Sequence, residues 1–284
     1  MQEPSAAIVG RFLRTGNLDD PLKVWPGENW LARAKQVDAA LEALVSTVMD
    51  RAPNATAPAE LAAMNVTAFA RKKAEPMVRG LFPQIEQENV LTLLERSLVF
   101  LLPAMIGGVL MKMPWPRTAW NLANLYLASY GAEPLSRDAL GIVGLSAETT
   151  CYVSVGYFHR VGRFEDFVVH EMAHIFHNCK RETAGLRETR RREWLLDIDY
   201  RKRETFAYAC EAYSRILEIG GAARARQRHL AEIEEREMPP DELVDPGEYL
   251  DILREAVAAR NGWKRILKRC SPSGKPRRDP CNAQ

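Results

Sequence analysis

The segment His170-Glu171-Met172-Ala173-His174 limits this chain more than any other, because its two imidazoles act together only on a helix. At 100° per residue, His170 and His174 lie 40° apart around the axis and about one turn apart along it, so both rings leave one face. Two imidazoles so arranged can reach a single cation at a Zn–N distance of ~2.0–2.1 Å. Glu171 need not bind that ion and can serve its open position, where a carboxylate takes the proton of a bound water. The residues ahead of the motif support a buried helix, since Phe164, Phe167 and Val168 form an apolar stripe. Buried histidines and glutamates without partners would be costly there. Two hydrogen-bonded core histidines are the bland alternative, and the intact motif favours metal.

A catalytic zinc site keeps three protein ligands and one open position. Downstream, Glu204-Thr205-Phe206-Ala207-Tyr208-Ala209-Cys210-Glu211-Ala212-Tyr213 reads as helix. An HExxH motif followed by a glutamate on a second helix is similar to the gluzincin branch of the zincin metallopeptidases. Glu204 to Ala209 resembles the E-x-F-A-x-A pattern around the zinc-binding glutamate of lethal-factor-type bacterial metallopeptidases. The resemblance covers Phe164 to Tyr213. It implies one Zn2+ held by His170, His174 and Glu204, with Glu171 as general base and a polypeptide as substrate. That family often places an acidic residue four after the ligand, where this chain has Tyr208. Glu211 shares the face of Glu204 and is either the residue that orients a histidine or the ligand itself.

His177 also lies on the motif's face, but His170 and His177 are about 10.5 Å apart along the axis. A cleft-lining role suits His177 better than ligation. Asp197 and Asp199 are further candidates for orienting a histidine, with solvated loop acids as the plainer reading. A donor for a developing oxyanion is needed, and Tyr208, Tyr200, His159 and His177 all stay open. Thr149 to Val155 is β-branched, aromatic and roughly alternating, which predicts a strand. The resemblance implies an edge strand that pairs with an extended peptide.

Helical periodicity is expected over Asn29–Arg51, Ala59–Lys73, Thr118–Tyr130, Phe164–Lys180, Glu204–Ile219, Ala222–Glu237 and Pro246–Ala259. A further helix is expected from Glu86 through Leu91, Leu94, Leu98 and Leu101 until Pro103. Residues 52–58 read as a linker, and the tail from Ser271 as disordered. The fold class is then α+β and mostly helical, with a small sheet and an active-site helix. This divides into a helical N-terminal region over 1–135, a zincin-like region over 136–270 and a basic tail over 271–284.

Five scattered cysteines without a CxxC pair do not form a disulfide framework and suggest a reducing compartment. With no secretion signal in Met1–Arg14, a cytoplasmic protein without membrane partners is expected. Basic runs lie within residues 180–203 and near the C-terminus, yet glutamates interleave the first and no nucleic-acid module accompanies them. A solvated, salt-bridged surface is preferred to a nucleic-acid partner. Two other functions stay open: a zincin-fold binding module without turnover, and a metal-dependent hydrolase of a non-peptide amide.

Overall fold

A computed structural model describes residues 5–18, 30–137, 139, 141–159, 162–188, 192–235 and 238–272. The chain is mostly helical, with a small three-stranded mixed sheet. In order it forms α1 (Ser5–Thr15), α2 (Trp30–Arg51), α3 (Ala59–Ala62), α4 (Val66–Leu81), α5 (Gln84–Leu94), β1 (Leu98–Phe100), α6 (Pro103–Met111), α7 (Pro116–Ser129), β2 (Gly144–Ala147) and β3 (Thr150–Val153). Then follow α8 (Phe167–Asn178), α9 (Arg203–Ile219), α10 (Ala223–Glu234), α11 (Pro246–Ala258) and α12 (Gly262–Cys270). No described helix is long and apolar enough to cross a membrane. The Asn29 cap and the tail beyond residue 272 lie outside the described residues.

Two expected helices are corrected. The run over Ala59–Lys73 breaks at residues 63–65, where the Asn65 side chain accepts the Ala68 amide at 3.0 Å and starts α4 afresh. The run toward Pro103 stops at Leu94, and Leu98-Val99-Phe100 is a strand. Leu98 and Phe100 are buried while Val99 between them is half-buried, a period of two. Pro103 opens α6, where its missing N–H costs nothing.

Packing divides the chain into two compact units, each assembled from two stretches: Met1–Ala70 with Glu95–Gly162, and Arg71–Leu94 with Arg163–Gln284. The boundaries expected from the sequence, at 135/136 and 270/271, instead cut the chain into consecutive stretches. In the first unit, α1, α2, α6 and α7 enclose a core that includes Phe12, Leu44, Ile106, Leu110, Leu122 and Tyr126. Its sheet has the order β1-β3-β2, with β1 parallel and β2 antiparallel to β3. The strand expected at an edge is therefore central. Both sides of β3 are hydrogen-bonded within the sheet, so it has no free edge to offer a peptide.

The second unit is built around α8 and α9, with α10, α11 and α12 packed on α9. Gly80 of α4 faces the Trp263 ring of α12 so closely that a Cβ would lie 2.0 Å from it. Asn261 donates to the Gly80 carbonyl at 3.0 Å beside this contact. Part of the first basic run is absorbed here, because the Arg181 guanidinium is buried and pairs with Glu86 at 2.6 Å.

Candidate metal centre

Helix α8 begins at Asp166, whose side chain accepts the Val169 amide at 3.3 Å. Its other carboxylate oxygen pairs with Lys73 at 2.7 Å. Val168, Val169, Met172, Ala173, Ile175 and Phe176 are fully buried and seat the helix, with Phe176 edge-on to Phe82. On α9, the small residues Ala207, Ala209 and Ala212 are buried, and small side chains permit two helices to approach closely.

Across this contact α8 presents His170 and His174, and α9 presents Glu204. The two Nε2 atoms lie 3.2 Å apart. Glu204 Oε2 lies 3.7 Å from His170 Nε2 and 3.4 Å from His174 Nε2. A tetrahedral zinc with bonds of ~2.0–2.1 Å needs donors ~3.3–3.4 Å apart, so these three atoms match three corners. Among the described residues no fourth His, Cys, Asp or Glu joins the group.

Glu204 and Glu211 share a face of α9 but lie two turns apart, ~10.5 Å along the axis, too far for both to reach one ion. The His170 ring spans the gap. Its Nε2 faces Glu204, and its Nδ1 lies 3.1 Å from Glu211 Oε2. The remaining Glu211 oxygen accepts the Asp166 amide at 2.6 Å. Glu211 is thus the buried carboxylate that orients His170.

His174 is oriented differently. Its Nδ1 lies 3.0 Å from His177 Nε2, and His177 Nδ1 lies 3.1 Å from Asn178 Oδ1. With His174 Nε2 turned to the metal position, its Nδ1–H donates to His177, which donates in turn to Asn178. That role requires a neutral His177. Burial, His174 and Arg203 together lower it to about 3. For His170, burial opposes the charge, but Glu204 and Glu211 outweigh it and raise the imidazole to about 10. Burial likewise acts to raise the Glu204 carboxyl, yet the two histidines hold it well below the usual carboxylate range.

The other sequence candidates separate. Asp197 is exposed, and Asp199 accepts the Arg201 amide at 2.9 Å, so neither orients a histidine; Glu211 and His177 do. Tyr200 is 80% exposed beneath the Arg203 guanidinium. His159 is exposed and belongs to the first unit. Tyr208 sets its ring edge-on to His170 with centroids 4.4 Å apart, and burial followed by Glu211 raises its phenol. Glu171 is buried beside His170 and close enough for its charge to raise both His170 and Tyr208. The sequence reading missed Lys73 and Asn178 altogether. It also missed Asp166 as the cap, although an aspartate directly before an apolar helical run was the signal for it.

No protein-family model, no curated protein and no solved structure matches this chain.

Proposed function

We propose that this protein is a zinc-dependent metallopeptidase of the gluzincin type, with His170, His174 and Glu204 as ligands of one ion. The observation that carries this reading is the spacing of 3.2, 3.4 and 3.7 Å among three donors on two helices, with no fourth protein ligand among the described residues. Two imidazoles and one carboxylate with an open position form the donor set of catalytic rather than structural zinc. Zinc bound there would polarise a carbonyl and bring the pKa of a water toward ~7.

The chain's own residues divide the remaining work. Glu171 accepts the water proton and returns it to the leaving amine. A buried carboxylate beside the ligands suits this task, and a purely structural site has no use for it. Tyr208 keeps its phenolic proton and donates to the developing oxyanion. His177 is less suited to that role, since both its ring nitrogens are engaged. Glu211 and His177 fix the tautomers of His170 and His174, so that each Nε2 lone pair faces the ion.

The test compares wild type with Glu171→Gln by metal analysis and by a proteome-wide cleavage screen. Equal zinc content with a 10²–10⁴-fold loss of hydrolysis, roughly the worth of a general base, is expected. Identical fragment profiles from the two proteins would end the peptidase reading.

A further inference from the structure

Two arginines of the second unit, Arg203 and Arg226, have a buried Nε without a hydrogen-bond acceptor, and Arg203 is the one next to a proposed ligand in the chain. Lys73, Arg181, Lys202, Arg215, Arg254 and Arg269 each pair with a carboxylate. Among the described residues none is paired with Arg203, and its Nε is buried with no hydrogen-bond acceptor. A buried guanidinium donor without an acceptor costs free energy, and native structures seldom leave one so. Its position adds to that cost, because Arg203 is the first residue of α9, where the helix dipole is positive. No side-chain cap is present there either.

The guanidinium is held, not adrift. Its Cζ lies 5.1 Å from the centroid of the Tyr200 ring, which is 80% exposed and leaves that surface open to solvent. Arg203 directly precedes the proposed ligand Glu204 at the start of α9.

We propose that Arg203 binds a substrate carboxylate, so that the peptides cleaved carry an acidic group to one side of the scissile amide. Arginine suits this, since its planar fork matches a carboxylate with two parallel hydrogen bonds. The carboxylate has two sources, an aspartate or glutamate side chain or the C-terminus of the peptide. The inference rests on the metallopeptidase reading and gives it a substrate class.

The test uses fluorescent peptide hydroxamates, which chelate zinc without being cleaved, measured by anisotropy on the zinc-loaded protein. One set carries Glu or Gln at each position on either side of the hydroxamate, with the C-terminus amidated. Another has only neutral side chains and a C-terminus either free or amidated. At one flank, the acidic peptide should bind tighter than its neutral counterpart by on the order of tenfold, as for a charged hydrogen bond. Arg203→Gln should remove that difference while leaving zinc content and the neutral peptide's affinity unchanged. Arg203→Lys, the milder change, should keep part of it. Whichever set shows the preference identifies the source of the carboxylate. Equal binding of acidic and neutral peptides to wild type, or a preference that survives in Arg203→Gln, overturns the inference. Hydroxamates that bind no better than matching carboxamides would instead fail the metal reading, and the carboxylate subsite would fall with it.

Discussion

At His170 one imidazole answers to two carboxylates, and the two should respond differently to the same change. Glu204→Gln removes the only anionic donor of the three-atom group and should abolish stoichiometric zinc. Glu211→Gln leaves the three donors in place but weakens the hold on the His170 tautomer, so zinc affinity should fall by ~10–100-fold. Competition with a chromogenic chelator checks both, and equal losses in the two variants would contradict the roles assigned. The motif made His170, Glu171 and His174 legible in the sequence. The pattern around Glu204 put it forward as ligand, but periodicity alone could not separate Glu204 from Glu211, which share a face. Only the height at which α9 meets α8 separates them, and no local pattern encodes that height.

Elements were legible where one periodicity ruled. Helices α2, α7, α8, α9 and α11 lie within a few residues of their expected spans. β1 was not legible, because Leu91, Leu94, Leu98 and Leu101 keep helical spacing across a segment whose fate is set by pairing with β3. Contacts between elements carry two predictions. An alanine in place of a mid-helix glycine ordinarily gains roughly 0.5–1 kcal/mol. Gly80→Ala should instead lose about 1–3 kcal/mol, because its methyl group meets the Trp263 ring. Urea unfolding checks the sign. Glu218 of α9 interacts with Lys73 of α4 and with Arg215, and these cations outweigh burial and lower its carboxyl below the ordinary 4.5. A lowered folded value means stability that is present above about 4.5 and lost as pH falls through the folded value. Glu218→Gln should therefore make the acid loss of stability shallower. The effect should stay within a few tenths of a kcal/mol, since the side chain is half-exposed.

For the whole molecule, all three proposed ligands belong to the second compact unit, and ion binding there should stabilise the folded state by mass action. At a free zinc concentration a hundred times Kd the gain is about 2.7 kcal/mol, so a chelator should lower Tm by several degrees. Calorimetry with and without chelator measures it, and an unchanged Tm would argue against a bound ion. Neither the discontinuous units nor the central place of β3 could be read along the chain, since both depend on which distant segments meet. One linkage extends the centre beyond its ligands. Glu211 holds the His170 ring with one oxygen and the Asp166 main chain with the other, so an ion bound at His170 would be moored to the start of α8 through these two side chains. Amide–deuterium exchange at Asp166 and Val169 would then act as a gauge of loading, slow when the centre is filled and quickened once the ion is stripped away.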